Sequence, residues 1–294
     1  AIVGIIGFKF FIPEIGATPI DVTQISIVHT IFNVLNTILL FPFAGLLVVI
    51  AEKLIKDGEN EGEANELQHL DERILETPSF AVENAVKEVI RMADIAMENT
   101  KDAVEALLDK DEKKIEQVFE KEKTINELQR GINHYLIKLS NATLSEEEKA
   151  VVTRLFHIVS DIERVGDHAD NIAEIADQMV QEGLTFSDKA IKELREITDA
   201  AIVSFEYAIQ GNAFKNPEIA KKTLPLEEQV DKMEAKLRSR HMKRLADETC
   251  SPIAGILFLD TLSNIERISD HASNIALSIL DENYCFTSEE MNLA

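Results

Sequence analysis

The sequence predicts an all-α chain: a transmembrane helix, with part of another before it, followed by two repeated three-helix bundles. Three observations carry this. Residues 22–51 hold no formal charge over 30 positions, against roughly 20 apolar residues needed to span a bilayer. The remainder is rich in Ala, Glu, Lys, Leu and Ile, lacks Trp, and spaces its apolar residues at helical rather than strand intervals. A stretch from Ser160 to Ala173 recurs from Ser263 to Ala276 with 10 of 14 positions identical.

Residues 1–56 read as a membrane segment. Ala1 to Ile12 is a short apolar piece broken by Lys9, read as the end of a further span. The long span runs from Val22 to Ala51, and Lys53 and Lys56 behind it place its C-terminal end in the cytoplasm. His29, Asn33 and Asn36 fall on one face of it, and Pro42 kinks it near its exit. Two roles stand open for these polar groups: binding neighbouring helices or lining a polar path.

Residues 57–77 form an acidic connector with Gly58 and Gly62, turning helical near its end. Thr77-Pro78 has the form of an N-cap followed by Pro at the first helical position. The first bundle occupies 78–184, with helices at about 79–109, 112–140 and 146–182. The second bundle and a C-terminal tail occupy 185–294, with helices at about 188–212, 217–247 and 252–281. Ser145 with Glu148 is a capping box, Ser187 an N-cap, and Ser251-Pro252 repeats the cap-then-Pro signature. Pro225 falls inside the expected 217–247 helix, either as a plain helix start or as a bend that presents neighbouring acids.

The duplication reaches beyond the opening motif. Val86-Lys-Glu-Val matches Ile191-Lys-Glu-Leu, and Glu122-Lys-Thr-Ile-Asn126 matches Glu227-Glu-Gln-Val-Asp231, both at an offset of 105 residues. The third helices match at an offset of 103, so two residues are lost in a loop. One three-helix unit is used twice.

Composition excludes several functions. The net charge of −23 argues against a nucleic-acid partner. Cys250 and Cys285 stand alone, without the spacing of a thiolate metal site or a disulfide framework. No nucleophile–base–acid constellation and no glycine-rich phosphate loop occurs, so an enzyme is not expected.

The repeated motif carries the chemistry. Glu163 and Asp167 stand four residues apart on one helical face, as do Glu266 and Asp270. Like charges at that spacing destabilise a helix by a few tenths of a kcal/mol, so a cation is required nearby. Arg164 and Arg267 could supply it locally; a multivalent ion ligated by carboxylates is the sharper reading. In the second helix Glu122 lies in line with Ile115, Val118, Phe119, Ile125, Leu128, Ile132, Tyr135, Leu136 and Leu139. A carboxylate on a core stripe is costly unless paired or metal-bound. The expected ligands are therefore Glu122, Glu163 and Asp167 in the first bundle, and Glu227, Asp231, Glu266 and Asp270 in the second. Asn126, His168, Asn171, His271 and Asn274 stand beside them as further ligands or hydrogen-bonding supports. Four carboxylates against three predict tighter binding in the second bundle.

The motifs Glu163-Arg-Val-Gly-Asp167-His168 and Glu266-Arg-Ile-Ser-Asp270-His271 resemble the Glu-x-x-x-Asp motifs of the PhoU family. The resemblance implies two three-helix bundles over about 78–282, multinuclear metal clusters of the iron, zinc or manganese type, and a link to phosphate status. The segments His29-Thr-Ile-Phe-Asn33-Val-Leu-Asn36-Thr and Leu40-Phe-Pro42 are similar to the closing helices of bacterial sodium–phosphate cotransporters. Leu70-Asp-Glu-Arg-Ile-Leu-Glu-Thr-Pro78 resembles the piece those proteins place before a C-terminal PhoU-like domain. Two departures are plain: the Gln-Ser-Ser-Ser signatures of sodium and phosphate binding are absent, and Asn126 replaces an Asp. The resemblance then places most of the transport core before Ala1.

These readings converge on the C-terminal portion of a sodium-dependent phosphate symporter, with phosphate and sodium as its cargo. It is expected as a multi-pass inner-membrane protein whose metal-binding PhoU-like domain regulates transport from the cytoplasm, as a homo-oligomer or with a signalling partner. A membrane-tethered PhoU-type signalling adaptor without transport activity is the alternative, and a scaffold with a solvated acidic face is a third.

Overall fold

In a computed structural model, the described residues are 29–30, 32–35, 37, 67–213, 215–247 and 251–280. The chain divides into two compact units, Ala1–Glu61 and Gly62–Ala294. In the first unit, residues 29–30, 32–35 and 37 are helical. The Asn33 amide lies 3.2 Å from His29 Nδ1, so these two share a face, and Thr37 donates to the Asn33 carbonyl at 2.9 Å. Asn36 and most of the Val22–Ala51 stretch lie outside the described residues.

The expected multi-pass inner-membrane location is overturned. Among the described residues no helix is long and apolar enough to cross a membrane. The long helices that are described lie in the second unit and carry charged residues along their exposed faces, which keeps any of them from being apolar enough to span.

The second unit is all helix among the described residues. A 3₁₀ turn, Glu72–Glu76, leads into α1 (Pro78–Asp109), α2 (Glu112–Ser140) and α3 (Glu146–Gln181). Then follow α4 (Asp188–Ala213), a single turn α5 (Pro217–Ala220), α6 (Thr223–Ala246) and α7 (Pro252–Leu280). The Asp111 carboxylate caps α2 by accepting from the Lys113 and Lys114 amides. The Ser145–Glu148 capping box opens α3, a feature worth about 1 kcal/mol. Gly183, at φ 64°, closes α3, with the Leu184 amide reaching back to the Met179 carbonyl at 2.9 Å. Ser187 Oγ accepts from the Ala190 amide at the start of α4.

Two local expectations differ. Pro78 does occupy the first turn of α1, but the Thr77 hydroxyl turns back to the Ile74 carbonyl at 3.1 Å instead of capping the helix. The expected helix over 217–247 is two helices. Asn216 caps the short α5, and α6 restarts at Thr223 with Pro225 in its first turn, where its missing N–H costs nothing. Gly211 permits the tight return, since a Cβ there would lie 2.8 Å from the Ala220 backbone nitrogen.

The connector's described end packs on the first bundle. Leu67, Leu70, Ile74 and Leu75 are partly buried against the core. Gly131 lets Leu67 settle onto α2, a Cβ there standing 2.9 Å from its Cδ2. Glu88 on α1 is fully buried; it accepts from the His69 amide at 2.8 Å and the Gln68 amide at 3.3 Å, and pairs with Arg91.

The apolar stripes of α1 to α7 join in one core. The third helices of the two bundles, α3 and α7, pack against each other, as do α1 and α4. His168 meets Asn264 while His271 meets Asp161, which makes α3 and α7 antiparallel and relates the bundles by a local twofold.

Candidate metal centre

In the second bundle, α6 contributes Glu227 and Asp231 one turn apart, and α7 contributes Asp270. One oxygen from each carboxylate lies within 4.8 Å of the others. Burial, then the charges of Asp231 and Asp270, push Glu227 above the usual carboxylate range. Asp270 is raised by burial and by Asp231; Glu266 is raised by burial, then by Asp270 and Asp231. Carboxylates that raise one another in this way suit a hard multivalent cation, which replaces repulsion by ligation. The donor set fits the metal that the motif implies. Glu266 shares the field of this group but is not one of its three convergent members.

The first bundle is arranged differently. Glu122 is raised by burial and then by Asp167, so α2 and α3 do face one another. Asn126 donates to Glu122, filling with a hydrogen bond the place that Asp231 fills with a charge. Arg164 lies 3.5 Å from Asp167 and 3.9 Å from Glu163. Glu163 is raised by burial and then by Asp167. Asp170, absent from the expected ligands, joins the set: its carboxyl is pushed up to about 6 by burial, then by Glu122, Glu174 and Asp167. Its signal in the sequence was its spacing of three residues from Asp167, at one of the four positions where the two 14-residue motifs differ.

The polar residues that flank the motifs join the bundles to each other. His168 Nδ1 lies 2.9 Å from Asn264 Oδ1, and His271 Nδ1 lies 2.9 Å from Asp161 Oδ1. Asn171 donates to Asn264 at 3.2 Å and Asn274 to Asp161 at 3.5 Å. The two imidazoles stack, with ring centres 5.6 Å apart. Asn264 gives its amide N–H to the Asp260 carbonyl, so its Oδ1 accepts from His168. Burial lowers the His168 pKa, which favours the neutral ring. In this structure His168, His271, Asn171 and Asn274 are therefore engaged across the bundle interface.

Fold and site define a class: a duplicated three-helix-bundle protein that gathers carboxylates on the second and third helices of each half. The PhoU domain matches residues 89–176 and 194–279, one match in each bundle. The chain belongs to the PhoU domain family. A Salmonella typhimurium protein, YjbB, named for inorganic phosphate export, is 22% identical over 256 residues, covering 86% of this chain and 47% of that protein. The chain thus spans about half the length of that relative. A Thermotoga maritima homolog of the phosphate-specific transport system accessory protein PhoU is 24% identical over 195 residues, covering 66% of this chain and 83% of that one. The crystal structure of PhoU from Pseudomonas aeruginosa superposes with a TM-score of 0.64 at 24% identity, covering 67% of this chain and 94% of the other.

Proposed function

We propose that the chain is a PhoU-type phosphate-signalling adaptor, which acts on phosphate-transport machinery without itself carrying phosphate. The observation that supports this most directly is the PhoU match in both bundles, each with its acidic cluster on the second and third helices. The sodium-symporter reading rests on the resemblance of residues 29–42 and 70–78 alone, and among the described residues no helix is long and apolar enough to cross a membrane. Glu227, Asp231 and Asp270 would hold a multivalent ion in the second bundle; Glu122, Glu163, Asp167 and Asp170 would do so in the first. The ion would supply positive charge that ties each second helix to its third. The test is expression in a bacterium lacking its own PhoU accessory protein. The adaptor reading expects phosphate uptake to become responsive to external phosphate again. Uptake that stays unresponsive, with the protein present at normal levels, rejects it.

A second reading has its own observation. The match to YjbB extends over 256 residues, more than the described bundles occupy. It supports the chain as the regulatory part of a longer phosphate-export protein, acting on its own transport core. Phosphate efflux that requires this chain and the core on one polypeptide would favour it.

A further inference from the structure

A groove of about 510 Å³ runs between α3 and α7 on one side of the bundle interface. That is within the roughly 300–1,000 Å³ range of small-molecule sites. Arg267 and His168 lie towards one end and Asp260 and Glu174 towards the other, with the hydrogen-bonded amides of Asn171 and Asn264 between them. Because α3 and α7 are antiparallel, these ends are contributed by both helices. Arg267 stands seven residues from Asp260 on α7, a separation of about 10 Å at 1.5 Å rise per residue.

The Arg267 charge is felt by Glu266 and Asp270, whose carboxyls it draws down, but it is not tied to them by a close contact. Among the described residues, Arg267 makes no ion pair or hydrogen bond, and neither Asp260 nor Glu174 makes an ion pair. The repeat shows that this is not a general property of the motif. Arg164, the counterpart of Arg267, is drawn onto Asp167 at 3.5 Å. The counterparts of Asp260 and Glu174 are His157 and Leu277, so the polarity is not duplicated on the opposite side.

We propose that this groove binds a small phosphate-bearing molecule whose body carries hydrogen-bond donors, of nucleoside monophosphate size. A guanidinium with a neighbouring amide and the Ser263 hydroxyl offers several donors to a tetrahedral anion. Two carboxylates at the far end repel a second anionic group but accept N–H and O–H groups from a base or a sugar. Inorganic phosphate alone would reach only one end of a groove of this length. The ligand would lie across both bundles, beside the His168–His271 stack, and its occupancy would be felt at their interface. The inference goes beyond the adaptor reading by giving that adaptor a ligand, and it does not depend on metal.

Calorimetric titration of the full chain with AMP, GMP, CMP and UMP in turn, beside adenosine and inorganic phosphate, tests it. Metal content is measured on the same sample, so the two readings fail separately. At least one monophosphate should bind, with the free nucleoside and inorganic phosphate each tenfold or more weaker. Arg267→Gln should weaken that binding at least tenfold, and Asp260→Asn severalfold, with unchanged circular dichroism because both side chains are exposed. The proposal is overturned if no monophosphate binds at millimolar concentration, if inorganic phosphate binds equally well, or if Arg267→Gln binds like the wild type.

Discussion

The two bundles share a pattern and differ in what they bury. Where the first places Leu136, Leu139 and Leu155 in its core, the repeat puts His241, Arg244 and Phe258 at the second bundle's matching positions. His241 stacks on Phe258 at 4.5 Å, and Arg244 lies over the same ring at 5.7 Å. Arg244 also reaches Glu193 at 3.0 Å and His241 Nδ1 at 3.1 Å. Burial and then the Arg244 charge hold the His241 pKa below its usual value. Glu193 is the counterpart of Glu88, and the pair shows one buried acid put to two uses. In the first bundle the carboxylate receives the connector's backbone amides; in the second it receives arginines from α6. A buried charge fixes whichever element can satisfy it.

The acidic clusters differ in a compensating way. The first bundle has Asn126 on α2 and Asp170 on α3, while the second has Asp231 on α6 and Ser273 on α7. Each half therefore has four carboxylates, but one has moved from the second helix to the third. Glu227, Asp231 and Asp270 converge, whereas in the first bundle Glu122 accepts from Asn126 and Asp167 is drawn to Arg164.

The sharpest way to break this comparison is at the buried acids. Glu193→Ala should destabilise the protein by about 3 kcal/mol, since it leaves the partly buried Arg244 without its carboxylate. Glu88→Ala should cost a similar amount, and in addition release the connector. Urea unfolding measures the first effect, and hydrogen exchange at the Gln68 and Asn99 amides separates the two. Gln68 should lose protection only in Glu88→Ala, while Asn99, within α1, should not. Equal protection of Gln68 in both variants would show that Glu88 does not anchor the connector.

A smaller effect is expected from the clusters. Asp270→Asn should lower bound metal tenfold or more, about 1.4 kcal/mol, and Asp167→Asn should lower it less. Elemental analysis of protein purified without chelator, and again after metal is offered, measures this. A wild type that carries and gains no multivalent ion contradicts the metal reading. A larger loss from Asp167→Asn would reverse the ranking of the bundles.

The smallest effect concerns pH. Asp170 has a folded pKa of about 6 against a model-compound value of 3.8. The native state therefore holds the proton more tightly than the unfolded chain. Its contribution to stability is present below 3.8 and is lost as pH rises to about 6. In chelator-treated protein, urea midpoints measured across that window should fall more steeply for the wild type than for Asp170→Asn. Parallel pH profiles would remove Asp170 from the cluster.

Much of this molecule was determined by its sequence alone. Helical spacing, the Ser145–Glu148 box, Pro78 and the 103- and 105-residue offsets fixed all-helical bundles in two copies, because those signals act within a turn or two of the chain. The same periodicity placed Glu122 on the stripe facing α3. What the tertiary structure decided was every pairing between distant segments. Glu88 and Glu193 look like ordinary helix-surface acids until the connector and α6 are packed against them. His168 and His271 follow their Asp residues in sequence, yet the antiparallel α3–α7 contact turns them toward Asn264 and Asp161. Asp170 acquired its place in the cluster only when Glu122 came to face it. Sequence periodicity says which face of a helix is buried; which groups meet on that face depends on the neighbouring helix, and that is set by packing over the whole core.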